Sequence, residues 1–157
     1  MTPSIKQEFI QDFGEAYQLF GLPKLMGRIV GLLLYVNRPI SLNEITSQLN
    51  VSKGPVSQII RRLRDHDLIQ RIWVPGDRKD YYQPEADIFG NAFKNHIGLM
   101  KRNLELAQKY QAKLKFSKEE ENAQFKERIE EMHQFYKMML EYFNQFLVDW
   151  QKQKSNK

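Results

Sequence analysis

Two helix-start signals, Ser41 and Ser52, stand on either side of a turn-forming Asn50, and this pairing limits the fold more than any other stretch. Ser41-Leu42-Asn43-Glu44 has the form of a capping box, in which hydroxyl and carboxylate each close an orphan N–H. Ile40 and Ile45 stand where a hydrophobic staple requires them. The helix so opened carries Ile45 and Leu49 on one face and stops at Asn50, a residue that tolerates left-handed backbone. Val51 plugs the turn, and Ser52 is expected to cap a second short helix.

At a hundred degrees per residue, Val56, Ile59, Ile60 and Leu63 of that second helix cluster on one side. The other side presents Gly54, Ser57, Gln58 and Arg61, flanked by Lys53 and Arg62. Short hydrogen-bonding groups and a glycine near the amino end, with arginines behind, suit a helix whose first turns enter a DNA major groove. Pro55 falls in the first turn, where its missing N–H would have no helical partner. Beyond it, Leu68 to Val74 suits a strand and Tyr81-Tyr82-Gln83 its return. Pro75-Gly76-Asp77-Arg78-Lys79-Asp80 makes the turn between them, with Arg78 and Lys79 at the tip as groove candidates. Asp77 is expected to shape that turn or orient Arg78, and Arg71 to pair near Asp65 or Asp67.

Residues 38–84, RPISLNEITSQLNVSKGPVSQIIRRLRDHDLIQRIWVPGDRKDYYQP, resemble a winged helix-turn-helix of the MarR superfamily, most nearly its GbsR-like branch. LNVSKGPVSQIIRRL and VPGDRKDYY carry the resemblance. Thr46 stands where that pattern has alanine, and Asn50 where it has glycine. The resemblance implies a sequence-specific DNA-binding regulator, a repressor, acting as a dimer built from its terminal helices. It also implies a small-molecule effector, choline-like in the relatives of that branch. Phe13, Tyr17, Phe20, Tyr35, Phe89 and Phe93 supply aromatics for a cation cage, but each is more often a core residue, and no ligand residue is assigned.

The flanking segments fit that frame. Ser4 with Gln7 suggests a capping box opening a helix whose Ile5, Phe9, Phe13, Ala16 and Phe20 recur at helical spacing. Gly21-Leu22-Pro23 ends it, and a second helix runs from Pro23 to about Val36. Gly27 and Gly31, four apart, are expected to let two helices approach closely. After Pro84 a long helix runs from the cap Asp87 to about Lys115, and a capping box at Ser117 and Glu120 opens a last one, to about Gln153. Phe125, Ile129, Met132, Tyr136, Met139, Phe143, Phe146 and Trp150 alternate in that helix by fours and threes, the period of a coiled-coil seam. About 35 residues make a helix about 53 Å long, against a diameter of roughly 39 Å for a globule of this size. The aromatic stripe is therefore expected to be covered by a second copy, with Phe9 on the first helix contributing.

The expected fold is mainly α with a small β wing. Its parts are an N-terminal dimerisation helix (1–22), a winged DNA-binding domain (23–86) and a C-terminal helical dimerisation region (87–157). Composition agrees: 157 residues, net charge +5 and an isoelectric point near 9.3 favour an anionic partner, here double-stranded DNA. There is no cysteine, which removes disulfides and thiolate metal sites. The longest apolar run, Ile29 to Val36, is far short of the roughly 20 residues of a membrane span, and the expected location is cytoplasmic.

Catalysis finds no constellation: His66, His96 and His133 lie in separate segments, without a triad order or a phosphate loop. Glu130 and His133 have the spacing used in di-iron bundles, but the second pair such a site needs is missing, so no metal and no cofactor is expected. The alternative to a DNA-binding regulator is a winged-helix module that binds protein, its basic wing serving as a protein contact.

Overall fold

The computed structural model describes residues 2–117 and 122–157. Along them run α1 (Ile5–Leu19), α2 (Lys24–Val36), β1 (Ile40–Ser41), α3 (Leu42–Leu49), α4 (Lys53–Asp65), β2 (Ile69–Ile72), β3 (Tyr81–Pro84), α5 (Ile88–Leu114) and α6 (Ala123–Ser155). Contacts divide the chain into two units, one ending at Asn91 and the other beginning at Ala92. Helices dominate, as expected. The strands form one antiparallel sheet in the order β1-β3-β2, with Gln70 opposite Gln83 and Ile40 opposite Tyr82. The hairpin thus gains a third, two-residue strand at Ile40 and Ser41, too short for any sequence pattern to announce.

Within the first unit, α1 lies against α2 because three glycines leave no room for anything larger. A Cβ built on Gly27 would meet the Phe13 carbonyl oxygen and come within 2.8 Å of the Gly14 Cα. One on Gly31 would lie 3.3 Å from the Ile10 Cα. The close approach expected from the two glycines is present, and its partner is α1. The buried side of α1 is centred on Ile10 and Gly14 with Phe13 and Tyr17 packed beside them, while Ile5, Ala16 and Phe20 are exposed. The expected stripe was off by one residue, because glycines carry no hydrophobic signal although they mark the contact here.

Ile29, Leu32, Leu33, Ile40, Ile45, Val56 and Leu63 are fully buried and tie α2, α3, α4 and the sheet into one core. Each contributes about 1.5–3 kcal/mol of burial relative to exposure. Three helices of this unit end alike. Gly21, Asn50 and Asp67 take left-handed backbone, and the next residues, Leu22, Val51 and Leu68, donate back to Tyr17, Thr46 and Leu63 at 3.0–3.1 Å. That is the Schellman arrangement, with an apolar residue closing each turn.

In the second unit α5 and α6 run antiparallel. The Phe93 ring lies 5.0 Å from those of Phe143 and Phe146, and Tyr110 lies 6.1 Å from Phe125. Gln111 donates to Glu130 at 2.7 Å. The Ser117–Glu120 capping box falls partly outside the described residues.

Candidate nucleic-acid interface

The corner between α3 and α4 is held at both ends. Ser41 Oγ accepts from the Glu44 N–H at 3.2 Å, half of the expected capping box. The Glu44 carboxylate does not return the bond; it accepts from both Arg38 guanidinium nitrogens and from Gln48. Arg38 beside it holds the Glu44 carboxyl below the usual carboxylate range. At the other end Arg28 of α2 donates to the Leu49 carbonyl at 3.0 Å, giving the last turn of α3 a cationic cap. Thr46 turns its hydroxyl back to the Asn43 carbonyl at 2.8 Å, and Asn50 takes φ 52°, so both departures from the family pattern are absorbed locally.

Ser52 occupies the cap position of α4 with extended backbone but makes no side-chain bond to the first turn. The third residue of this helix is Pro55, which lacks the N–H that a cap hydroxyl commonly accepts from. Val56, Ile60 and Leu63 are buried and Ser57 half-buried. Lys53, Gly54, Gln58, Arg61 and Arg62 are exposed, so of the expected recognition residues on this helix only Ser57 is partly covered. Gly54 has nothing within 4 Å of where its Cβ would be, so neither packing nor backbone strain requires glycine there. Gly54→Ala is expected to leave thermal stability unchanged or raised by up to about 1 kcal/mol. Its duplex affinity should fall, measured by gel shift, because the methyl stands where a duplex would approach.

The wing is built on a tight turn. Asp77 N–H donates to the Val74 carbonyl at 3.1 Å with Pro75 and Gly76 (φ 81°) between them, the layout of a type II turn. The Asp77 carboxylate accepts from the Lys79 N–H at 2.9 Å and from the Tyr81 hydroxyl at 2.6 Å. Asp77 therefore shapes the turn. Arg71 pairs across the hairpin with Asp80 at 3.8 Å, not with Asp65 or Asp67, because sheet register brings residue 71 opposite Tyr82. Both acids of the tip are thus engaged, while Arg78 and Lys79 are exposed and join no ion pair among the described residues. Residues 53–80 hold seven Lys and Arg against four Asp, so the basic excess of this unit sits on α4 and the wing.

The bond from Tyr81, with the Lys79 N–H second, lowers the Asp77 carboxyl pKa. A depressed folded-state value means the turn is fully supported above the ordinary aspartate pKa of about 3.9 and is lost only as pH falls through a lower value. The Lys79 amide resonance should therefore titrate with a midpoint below that value. A midpoint at it would remove the bond.

Two residues escaped the sequence reading. Arg28 caps a helix 21 positions away, for which no local signal exists. Trp73 was assigned to a strand and instead stands exposed just past the end of β2. Three successive bulky residues, Ile72-Trp73-Val74, exceed what one face of a hairpin can bury, and that was the available clue.

On the second unit, Ile129 is buried and Met132, Tyr136, Met139, Phe143 and Trp150 are half-buried; the rings of Phe125, Phe143 and Phe146 meet α5 of the same chain. A different row of α6 is more open: Phe135, Met138 and Tyr142, at 51, 56 and 72% exposure. Phe9 of α1 is half-buried with its ring 5.3 Å from Phe13.

Residues 32–81, spanning the end of α2 through the wing, match the MarR family. Over those 50 residues the chain is similar to the MarR family. It is similar to the putative HTH-type transcriptional regulator YvaV of Bacillus subtilis (strain 168), 26% identical over 151 residues, covering 88% of this chain and 81% of that protein. It is also similar to two HTH-type transcriptional repressors of the same organism. OpcR is 29% identical over 84 residues, 54% of this chain and 45% of OpcR. GbsR is 26% identical over 80, 51% of this chain and 44% of GbsR. The chain thus spans most of YvaV but less than half the length of the two repressors. A solved structure described as a transcriptional regulator superposes with a TM-score of 0.80 at 25% identity, covering 95% of this chain and 99% of that one. Among the described residues no group of three or more His, Asp or Glu side chains could hold a metal ion. No helix among them is long and apolar enough to cross a membrane.

Proposed function

We propose that this chain is a MarR-type regulator that represses transcription by binding a pseudo-palindromic duplex as a homodimer. One observation carries the reading: a single compact unit presents the open polar side of α4 together with a wing tip whose two acids are occupied and whose two cations join no ion pair among the described residues. Ser57, Gln58 and Arg61 read base edges, Lys53 and Arg62 bind phosphate, Gly54 lets the backbone approach, and Arg78 and Lys79 enter the adjacent minor groove. In this reading residues 23–86 bind DNA while 1–22 and 87–157 hold two copies together. Two-fold symmetry then sets the α4 helices one duplex turn apart. The dimer surface draws on the open row Phe135, Met138 and Tyr142 and the exposed edges of the predicted stripe at Phe125 and Phe146. A small-molecule effector, choline-like by resemblance, belongs to the same proposal without assigned residues, as does a cytoplasmic location.

The test is selection of bound duplexes from a random pool, followed by salt titration. Contact with about eight phosphates gives a log–log slope near −7. A salt-insensitive interaction, or no retention of DNA at low salt, would favour the protein-binding alternative. Arg61→Ala is expected to weaken the selected site by about 1–3 kcal/mol and relax preference at one base pair. Unchanged binding removes Arg61 from the interface.

A further inference from the structure

Between residues 40 and 84 Trp73 is the one large hydrophobic side chain left exposed, at 75%. Its place in the hairpin is defined by alternation. Ile69 and Arg71 of β2, with Tyr82 of β3, lie on one face of the sheet, and Ile69 and Tyr82 belong to the core shared with Ile60 and Leu63 of α4. Arg64 of α4 is near enough to act on the Tyr82 hydroxyl. Residue 73 continues that α4-side face one step past the core, at the start of the turn that leads to Arg78 and Lys79.

We propose that Trp73 is a DNA-contacting residue of the wing, its indole lying along a deoxyribose edge beside the phosphates that the wing cations grip. This rests on the DNA-binding reading above. The neighbours select the occupant. An apolar plate on a hairpin that also carries Arg71, Arg78 and Lys79 matches a backbone in which apolar sugar edges alternate with anions, and the indole N–H can donate to a phosphate oxygen. Sugar contact also explains why a large apolar group is left open in the free protein: it is covered only when DNA is bound.

The experiment uses the full chain and a duplex from the selection above. Trp150→Phe leaves Trp73 as the only indole. Its emission should shift to the blue and become shielded from acrylamide on adding duplex. In the otherwise unchanged chain, Trp73→Ala should lose about tenfold in affinity. Its salt slope should be unchanged, since no charge is removed, whereas Arg78→Ala lowers the slope by about one. Trp73→Phe should recover most of the loss. Duplex binding with unaltered Trp73 emission and full affinity in Trp73→Ala overturns the inference and leaves the DNA-binding reading standing. No duplex binding by the unaltered chain removes both. Light scattering that shows Trp73→Ala monomeric beside a dimeric parent also overturns it, assigning the indole to a contact between copies.

Discussion

Leucine at position 27 is expected to unfasten α1 from the rest of the first unit. The space for its Cβ is already taken by the Phe13 carbonyl oxygen and the Gly14 Cα, both backbone atoms that cannot rotate away. Overpacking against movable side chains costs about 1–3 kcal/mol, and two fixed backbone atoms in the way put this case at or above the upper end. For a chain of this length about 3 kcal/mol lowers the midpoint of thermal unfolding by about 6–12 °C. Circular dichroism gives that shift, and limited proteolysis shows α1 cut first. Gly54→Ala is the control, since its Cβ meets nothing. Full stability in Gly27→Leu would mean that the two helices are not in contact through their glycines.

Met138→Glu with Tyr142→Glu is expected to give a soluble monomer that binds its selected duplex at least about a hundredfold less tightly. Both side chains are open in the single chain and share a helix face with Phe135, so carboxylates there should spare the α5–α6 packing. Phe143 is unsuitable for this purpose, because its ring rests on Phe93 in the same chain and a charge there breaks the hairpin first. The loss follows from separating two linked half-site contacts, which are worth about 10²–10⁴ in affinity beyond either alone. Sedimentation or light scattering reads the oligomer, and gel shift the binding. A dimer that survives both carboxylates would move the interface off this row of α6.

Much of the winged module could be read without coordinates because its determinants are local. The Asn50 turn, the apolar spacing of Val56, Ile60 and Leu63, and the Pro75-Gly76 turn each depend on residues within one helical turn or one hairpin loop. The same locality put Arg61, Arg78 and Lys79 on exposed positions, since a helix face and a loop tip follow from period alone.

What failed to be legible was the choice of partner between elements. Periodicity says that Glu44 can close a capping box, but Arg38 takes the carboxylate because β1 brings it near. Spacing offered Asp65 or Asp67 to Arg71, and strand register gave it Asp80. A stripe of aromatics on α6 announces burial without saying whether the cover is α5 of the same chain or a second copy, and the fold assigns Phe143 to Phe93. Local physics, acting through backbone propensity and side-chain period, determined which helices and turns form. Tertiary structure decided which groups meet, because an ion pair or a packed ring depends on distances set by the whole chain.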